Sequence, residues 1–289
     1  MANVELAVIG GSGLYNMAEL TDVEEKKITT PFGDPSDSLT IGTLHGRRLA
    51  FLPRHGRSHV LTPGEVPYCA NIFALKTLGV KYIVAVSACG SLRQDYAPGH
   101  FVIPDQLYDN TKGQRRRTFF GQGLVAHVGV AEPFSPELSR VVAGSVGAAG
   151  GTAHEGGAYI TIEGPRFSTK AESNVYRQWG MSIIGMTTSP EAFLAAEAEI
   201  AYACMAHVTD YDVWHENEEP VTAEKVFQIV KSNTQLAQAA IIHLVRHMDE
   251  WAGDYPAHHT LRNALTTSPT HIPAEIRTKL QPLVGKYLD

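Results

Sequence analysis

Short apolar runs recur along this sequence, and several of them alternate with segments that carry a helical pattern of apolar residues. Strands that alternate with helices are typical of an α/β fold with a largely parallel central sheet. Several runs are apolar at consecutive positions, as expected for interior strands buried on both faces. We therefore predict a single α/β domain with a mixed, largely parallel central sheet flanked by helices. The predicted strands are residues 4–9, 49–52, 82–86, 101–103, 159–162, 182–184 and 201–208.

Two sequence patterns predict where helices begin. Thr169 followed three residues later by Glu172 is a capping box, in which each residue satisfies a backbone amide of the first turn. The tripeptide Ser189-Pro190-Glu191 supplies an N-cap, a proline at the first helical position and an early acid.

The C-terminal third is predicted to be helical. A long amphipathic helix that packs on the sheet is expected from Thr222, because apolar residues follow it at a spacing of three and four. A second helix is expected to begin at Pro273. We predict that residues 1–250 form the α/β domain and that residues 251–289 are a C-terminal helical extension of the same domain.

Composition limits the classes of protein to which the chain can belong. The 289 residues are 44% hydrophobic and 19% charged, which is typical of a globular protein, and no tract is apolar enough to span a bilayer. The net charge of −6 argues against nucleic acid as a partner, and Arg115, Arg116 and Arg117 are interpreted as a solvated loop. Three widely spaced cysteines in apolar stretches favour a cytoplasmic protein over one held by disulfides.

Ligands of open α/β sheets bind beyond the carboxyl ends of the strands, so the loops there are expected to carry the site residues. After the first strand comes a glycine turn, in which backbone N–H groups and the Ser12 hydroxyl can hold an anion. A tight turn without a ligand is equally compatible with this stretch. A dinucleotide-dependent oxidoreductase is disfavoured, because the third glycine of its fingerprint is replaced by Asn16.

The segment after the second predicted strand is basic. Arg54 and His55 are candidates for an oxyanion clamp, since arginine offers two parallel donors to a phosphate; a solvated basic loop is the alternative. His55 and His59 have a spacing found in zinc sites, but the neighbouring glutamate of such motifs is absent, and no metal is expected.

Small and hydroxylic residues follow two further strands. At residues 87–91, small side chains allow a ligand to approach the backbone, and Cys89 is interpreted as a buried structural thiol rather than a nucleophile. Thr187 and Thr188 lie where a helix N-terminus can bind an anion, although ordinary capping explains part of this pattern. Phe167 follows another strand and is placed to stack on a planar ligand, although a lone phenylalanine is more often part of a core.

The last predicted strand ends in Thr209, Asp210, Tyr211 and Asp212. If the extended geometry continues, alternation puts both acids on one side of the strand and Tyr211 on the other. By itself this pair is more typical of a turn with solvated acids than of a ligand site. Beside the anion-binding loops, it predicts a site with carboxylates at one end and anion donors at the other.

These segments together resemble the trimeric purine nucleoside phosphorylase superfamily, and within it the branch that acts on S-methyl-5'-thioadenosine. The matching segments occur in family order and cover the chain from about Ala7 to Leu244, whereas the last forty-odd residues match poorly. They are IGGSGLY, TPFGDPSD, PRHGRSH, ANIFALK, SACGSLR, AEPFSP, TIEGPRFS, GMTTSPE and VTDYDVW.

The resemblance implies phosphorolysis of S-methyl-5'-thioadenosine to adenine and 5-methylthioribose 1-phosphate, as in methionine and purine salvage. It implies inorganic phosphate as a co-substrate, with no metal or organic cofactor. It also implies a homotrimer, in which His127 reaches the methylthio pocket of a neighbouring subunit. The phosphate ligands that it implies are Ser12, Arg54, His55, Ser87, Ala88 and Thr187.

The same resemblance assigns the nucleoside site. Asp210 and Asp212 are the implied catalytic residues at the edge of the base, and two carboxylates favour a purine whose 6-position bears an amine. The other implied contacts are Phe167 and Ser168 near the base, Met186 under the ribose, Thr209 beside the acids, and Val226 and Phe227 in the 5'-pocket.

Three positions depart from the animal enzymes of this branch, which have threonine at Ser12, asparagine at Gly185 and a larger apolar residue at Ala223. Gly185 keeps open the alternative of a phosphorylase that prefers 6-oxopurine nucleosides such as inosine or methylthioinosine. Ala223 leaves room for bulkier 5'-groups. A non-catalytic nucleoside-binding module is a further alternative, which a test for product release distinguishes.

Overall fold

The apolar run near the N-terminus forms the first strand of the central sheet. The computed structural model describes residues 4–11, 13–215 and 223–288. Within these ranges the strands are β1 (Leu6–Gly10), β2 (Thr21–Lys26), β3 (Leu39–Leu44), β4 (Arg47–Pro53), β5 (Tyr82–Ser91), β6 (Phe101–Ile103), β7 (Gln106–Asn110), β8 (Ala153–Glu155), β9 (Ala158–Ile162), β10 (Ile183–Gly185) and β11 (Ala201–Asp210).

The helices connect these strands or follow them. They are α1 (Tyr68–Thr77), α2 (Pro136–Ala148), α3 (Lys170–Gln178), α4 (Thr188–Glu197), α5 (Ala223–Arg246), α6 (Met248–Trp251) and α7 (Ala274–Leu288). The predicted capping box of α3 is confirmed, because the Glu172 amide donates to Thr169 Oγ1 and the Thr169 amide donates to Glu172 Oε2. In α4, Ser189 has extended dihedral angles (φ −100°, ψ 130°), so the regular helix begins at Pro190 as the sequence predicts.

The strand order is β2-β3-β4-β1-β5-β10-β9-β7; β11 pairs with β5 and β6, and β6 also pairs with β8. Parallel pairing joins β1 to β4 and β5, β11 to β5, β9 to β7 and β10, and β6 to β8. Antiparallel pairing joins β3 to β2 and β4, β10 to β5, and β11 to β6. The predicted α/β domain with a mixed, largely parallel sheet is confirmed.

One edge of β5 is open in its middle. On that edge, residues 82–85 pair with β1, and Gly90 and Ser91 pair with β10. Residues 86–89 between them have no strand partner there among the described residues, whereas β11 pairs along the other edge. The sheet therefore parts between β1 and β10, and ligands of α/β proteins bind in crevices of this kind.

The sheet is buried on both sides because successive residues of its central strands are apolar, as along the whole of β1. On β1, Ala7 and Ile9 belong to a core cluster that includes residues of α1, α4 and α7. Leu6 and Val8 belong to a second cluster that includes residues of α2 and α5. Full burial of a large aliphatic side chain contributes about 1.5–3 kcal/mol, so these two layers fix the position of the strand ends that carry the site.

The C-terminal helix is part of the first of these layers. It begins directly after Pro273, as predicted, and buries Ile276, Leu280 and Leu283. None of the helices in the described part of the chain is both long enough and apolar enough to cross a membrane.

Four strands are not predicted by the sequence patterns. Strand β2 is exposed at every position, and β7 and β8 are at most half-buried, so none of them has an apolar period that marks a strand. Strand β3 is buried, but Gly42 interrupts its apolar pattern.

Candidate active site

A cavity of about 790 Å³ opens where β5 parts from its neighbours, and residues 86–90 form one of its walls. Loops from the carboxyl ends of several strands complete it, as expected for this sheet topology. The predicted site residues that line it are Arg54, His55, Ser87, Ala88, Phe167, Ser168, Met186, Thr187, Thr209, Asp210 and Asp212.

The other predicted site residues are Ser12, His127, Val226 and Phe227. Ser12 lies outside the described residues, and the structure does not describe the side chains of Val226 and Phe227. His127 is exposed and does not line the cavity of its own chain. Its amide donates to the carbonyl of Ala264 at 2.9 Å, which fixes the backbone of this loop.

Arg54 is at one end of the cavity and is held by a buried ion pair. Its Nε and Nη2 donate to the two oxygens of Glu191 at 2.7 and 2.8 Å, and its Nη1 donates to the Val86 carbonyl at 3.1 Å. The side chain of Arg54 is 4% exposed and that of Glu191 is 0% exposed. Although burial opposes the charge, Glu191 raises the pKa of Arg54 above its usual range. Because a guanidinium has five N–H donors, each terminal nitrogen keeps one for a ligand.

His55 is beside Arg54 and is a neutral imidazole. Burial and the nearby charge of Arg54 lower the pKa of His55 to about 4. Its Nδ1 lies 2.8 Å from the Leu61 carbonyl, which requires the proton on Nδ1 and leaves Nε2 as an acceptor. The His59 ring stacks on it at 4.3 Å between centroids. His55 therefore suits an anion that carries a proton of its own, such as a hydrogen phosphate.

Hydroxyl groups complete this end of the cavity. Ser87 Oγ lies 3.5 Å from Thr187 Oγ1 and 3.4 Å from the Tyr159 hydroxyl. Ser87 and Thr187 are both buried, so a ligand oxygen here exchanges hydrogen bonds with protein rather than with bulk water. The arrangement of a fixed cation and two hydroxyls is suited to a phosphate-sized oxyanion.

Asp210 is the last residue of β11 and brings a carboxyl group into the lining of the cavity. Its Oδ2 lies 2.6 Å from Thr209 Oγ1, and its Oδ1 accepts the Asp212 amide at 2.7 Å. Burial raises the pKa of Asp210 to about 6, against these two hydrogen bonds. Thr209 Oγ1 also lies 3.2 Å from the Cys89 carbonyl, and a hydroxyl has one proton. When Thr209 donates to that carbonyl, the contact with Asp210 requires a proton on the carboxyl.

Asp212 follows in a turn. The strand ends at Asp210, and Asp212 has a φ of 51°, so the extended geometry does not continue to the second acid as the sequence alternation supposes. Both acids still line the cavity, while the Tyr211 hydroxyl points elsewhere and donates to the Gln94 carbonyl at 3.3 Å.

The second carboxyl has unused hydrogen-bonding capacity. Burial raises the pKa of Asp212. Asp212 Oδ2 and Ser168 Oγ are buried and make no hydrogen bond of normal geometry in the part of the chain that the structure describes, although the hydroxyls of Ser173 and Ser168 are near enough to Asp212 to favour its ionised form. Buried polar atoms are nearly always paired, so these two are positions where a ligand supplies the partner.

A glycine lets the acids approach the sheet. A Cβ on Gly90 would lie 3.0 Å from Asp210 Oδ1 and 3.1 Å from Ile184 Cγ2, so any side chain here pushes the carboxyl away. Cys89, the residue before it, is buried as predicted, and burial raises the pKa of its thiol well above the usual value. A thiol in this state is a poor nucleophile.

Gly185 is a glycine because of Tyr159. A Cβ on Gly185 would lie 1.9 Å from the Tyr159 hydroxyl and 2.8 Å from Cζ of the same ring. Tyr159 is fully buried, so its ring can move aside only if the side chains packed around it also shift. The aromatic ring thus occupies the volume in which a longer side chain at position 185 would lie.

The mouth of the cavity carries an aromatic ring. Phe167 is 41% exposed, although phenylalanine is usually buried. A planar ligand that stacks on this ring would cover apolar surface that is otherwise in contact with water. Met186 directly follows β10 and adds an apolar, adaptable contact to the cavity wall.

Arg115 is a residue that sequence reasoning places wrongly. It is buried rather than solvated, and its guanidinium donates to Glu163 Oε1 at 2.9 Å. It also donates to the carbonyls of Glu163, Met186 and Ser189 at 2.8, 2.7 and 2.8 Å. Arg115 therefore ties together the ends of β9 and β10 and the start of α4. Nothing in the run of three arginines distinguishes it from the exposed Arg116 and Arg117.

His207 and Glu191 are also missed. His207 lines the cavity from β11, and burial lowers its pKa to about 4. Its ring Nδ1 lies 3.5 Å from Asn233 Nδ2 on α5. Alternation along β11 places His207 on the same side as Thr209, which is a signal that the sequence does contain. Glu191 is read from the sequence only as a helix-start acid, because its partner Arg54 is 137 residues away.

Comparisons with known proteins agree with this fold. The sequence profile described as the Phosphorylase superfamily matches residues 5–248. The S-methyl-5'-thioadenosine phosphorylase of Chloroflexus aurantiacus is 55% identical over 287 residues, which cover 99% of this chain and 99% of that protein. The enzyme of the same name from Geobacter sulfurreducens is 49% identical over 283 residues, covering 98% of this chain and 99% of that protein.

Solved structures are similar along the whole chain. The crystal structure of a methylthioadenosine phosphorylase sourced from an antarctic soil metagenomic library has a TM-score of 0.94 and 49% identity, covering 98% of this chain and 99% of that one. The methylthioadenosine phosphorylase from Schistosoma mansoni in complex with adenine has a TM-score of 0.82 and 32% identity, covering 98% of both chains. The resemblance found in the sequence is thereby confirmed at the level of the family. This chain belongs to the phosphorylase superfamily.

Proposed function

We propose that this protein is an S-methyl-5'-thioadenosine phosphorylase, which uses inorganic phosphate to release adenine and 5-methylthioribose 1-phosphate. The observation that carries the proposal is the partly buried carboxyl of Asp210, whose pKa is raised to about 6, in the same cavity as the oxyanion end at Arg54. Cleavage of an N-glycosidic bond needs both chemistries, because the leaving base takes up electrons while an anion attacks C1'.

At the oxyanion end, phosphate accepts hydrogen bonds from the remaining N–H groups of Arg54 and from the hydroxyls of Ser87 and Thr187. The backbone at Ala88 and the Ser12 hydroxyl are the other proposed ligands. His55 Nε2 accepts a hydrogen bond from the hydroxyl of hydrogen phosphate. Phosphate is a modest nucleophile, so the main effect of these groups is to place it beneath C1', where its charge also stabilises the ribosyl cation.

At the other end, the protonated Asp210 donates to N7 of the purine as the glycosidic bond breaks. Asp212 Oδ2, which is buried and unpaired within the described residues, accepts from the exocyclic amine of adenine. Phe167 stacks on the base, Ser168 and Thr209 lie beside it, and Met186 packs under the ribose. Val226 and Phe227 are the proposed residues of the 5'-pocket.

Adenine fits this end better than hypoxanthine. A 6-oxopurine presents an acceptor to the unpaired carboxylate oxygen of Asp212, which leaves two acceptors facing each other. Gly185 no longer supports a 6-oxopurine preference, because the Tyr159 ring accounts for the glycine at that position.

The direct test is chromatographic separation of the products from methylthioadenosine, adenosine and inosine, each with and without phosphate. Phosphate-dependent release of adenine from methylthioadenosine is the expected result. Faster release of hypoxanthine from inosine would support the 6-oxopurine enzyme instead. Thermal stabilisation by nucleoside without any product would support a binding module.

We also propose a homotrimer in which His127 contributes to the methylthio pocket of a neighbouring subunit. Two observations support this: His127 is exposed, and it does not line the cavity of its own chain. Mixing inactive His127→Ala and Asp210→Asn subunits should restore activity, because some pockets then receive both intact residues. Activity that stays absent after subunit exchange, with the trimer verified by light scattering, would contradict the shared pocket.

The remaining parts of the proposal concern cofactors and location. Phosphate is the only co-substrate proposed, with no metal or organic cofactor and no nucleic acid or membrane as partner. A cytoplasmic location is supported by the three cysteines, which are all free thiols.

A further inference from the structure

Glu191 is a buried carboxylate directly behind the oxyanion end of the cavity. Arg54 lines the cavity, whereas Glu191 does not. We propose that Glu191 is a positioning residue that fixes the guanidinium of Arg54 in the orientation that receives phosphate, and that Tyr202 fixes Glu191 in turn. This inference rests on the proposed function, because it assigns a role in phosphate binding.

The hydrogen bonds of this pair hold the guanidinium of Arg54 in one orientation. Both oxygens of Glu191 accept from one side of the guanidinium, at 2.7 Å from Nε and 2.8 Å from Nη2. Two parallel charge-assisted bonds fix the plane of the guanidinium as well as its position. The bond from Nη1 to the Val86 carbonyl, at 3.1 Å, holds the remaining nitrogen against the open edge of β5. The N–H groups left over therefore have one direction.

The charge of Glu191 argues for positioning rather than attraction. An anion next to Arg54 weakens the pull of that cation on phosphate, so the carboxylate does not raise affinity through its field. Its burial at 0% exposure also costs solvation. What the carboxylate supplies is a single orientation of an otherwise flexible side chain, so that phosphate binding does not have to order it.

Tyr202 supplies the third hydrogen bond to this carboxylate. Its hydroxyl donates to Glu191 Oε1 at 2.8 Å, and the residue is 2% exposed on β11. Glu191 is in the first turn of α4, whose start is fixed by Arg115 through the Ser189 carbonyl. The hydrogen bonds from Tyr202 to Glu191 and from Arg54 to Glu191 thus connect β11, α4 and the end of β4.

Glu199 provides a matched control. It is also a buried glutamate, 3% exposed, and it accepts from the Tyr287 hydroxyl and pairs with Lys286 Nζ at 2.7 Å. It does not line the cavity. Glu199→Gln therefore removes the charge of a buried carboxylate with a tyrosine and a cation as partners, away from phosphate.

The experiment is calorimetric titration of the full chain with inorganic phosphate alone, on the wild type, Glu191→Gln, Tyr202→Phe and Glu199→Gln. We expect Glu191→Gln to weaken phosphate binding about tenfold or more, since a hydrogen bond to a charged group is lost. Tyr202→Phe, which removes one neutral donor, should weaken it about threefold. Glu199→Gln should lower the unfolding temperature without changing the Kd of phosphate. In steady state, the KM for phosphate should rise in Glu191→Gln while the KM for the nucleoside stays within about twofold.

An unchanged or tighter phosphate Kd in Glu191→Gln would overturn the inference and leave Glu191 a structural residue. If Glu191→Gln does not fold, an unchanged Kd in Tyr202→Phe has the same meaning. A wild-type protein that binds no phosphate contradicts the proposed function itself, which separates the two failures.

Discussion

The Asp212 amide donates to Asp210 Oδ1 at 2.7 Å, so the turn after β11 holds the two carboxyls in one hydrogen-bonded unit. This bond and the Thr209 hydroxyl favour the ionised form of Asp210, yet burial outweighs them and its pKa rises to about 6. The two acids therefore differ in role. The pKa of Asp210 is near the range in which a carboxyl can donate a proton, whereas Asp212 keeps an oxygen without a hydrogen-bond partner among the described residues.

Asp210→Asn should lower kcat for methylthioadenosine by about two to four orders of magnitude, because the general acid is lost. In the wild type, kcat/KM for the nucleoside should fall as pH rises through about 6, where the free protein loses the proton of Asp210. Phosphate also titrates in this range, so the comparison is between the two profiles at saturating phosphate. A limb near this pH that persists in Asp210→Asn would belong to phosphate and contradict the role of Asp210.

The same carboxyl should affect stability with a defined sign. Its pKa is raised in the folded protein, so between about pH 4 and pH 6 the folded state holds a proton that the unfolded state has lost. The contribution of Asp210 to the free energy of unfolding is therefore complete below this window and is lost as pH rises through it. Urea unfolding at several pH values should show that the free energy of unfolding falls less with rising pH in Asp210→Asn than in the wild type.

Asp212→Asn should change the choice of base more than the rate of an ideal substrate. An amide presents N–H groups where the carboxylate presents an acceptor, so the ratio of kcat/KM for adenosine to that for inosine should fall about 10- to 100-fold. Competing the two nucleosides in one reaction measures this ratio directly. An unchanged ratio, with both rates lowered alike, would mean that Asp212 does not contact the 6-position.

Gly185→Asn should destabilise the protein rather than convert its base preference. The new Cβ would lie 1.9 Å from the Tyr159 hydroxyl, and overpacking of this kind costs roughly 1–3 kcal/mol or more. Gly129→Asn is the control, because a Cβ there meets nothing within 4 Å. Thermal unfolding of the two variants tests the prediction, which is wrong if both melt at the wild-type temperature.

Arg115→Met should destabilise the protein by about 3–5 kcal/mol, because it leaves Glu163 and several carbonyls without their donor. Since Met186 and Ser189 are released with it, the KM values for both substrates should also rise. Arg117→Met removes only a partly exposed ion pair with Asp109 from the same run, so it should lower the denaturation midpoint much less and leave the KM values unchanged. Equal behaviour of the two variants would contradict the role assigned to Arg115.

The fold was predictable to the extent that burial leaves an apolar pattern. Strand β1 and the first halves of β5 and β11 are apolar runs, and the capping box marks α3 correctly. The exposed β2 leaves no comparable pattern, because an edge strand is held by backbone hydrogen bonds that any sequence can make.

The site divides along the same line. Arg54, Asp210 and Asp212 follow strands directly, so topology brings them together from sequence alone. Arg115 and Glu191 act through partners far away in the chain, and no local pattern distinguishes a buried ion pair from a solvated charge. The turn at Asp212 escapes prediction for another reason, since a positive φ outside glycine is a tertiary outcome.

The open edge of β5 also bears on how this protein can diverge. Where residues 86–89 lack a strand partner among the described residues, the amides on that edge can serve a ligand whatever the side chains are. Substitutions at Ser87 or Ala88 would alter hydroxyls and volume but leave the main-chain donors in place, provided that proline is excluded. The proposed anion site can therefore tolerate substitutions in residues 86–89, whereas a substitution of Arg54 requires a matching substitution of Glu191.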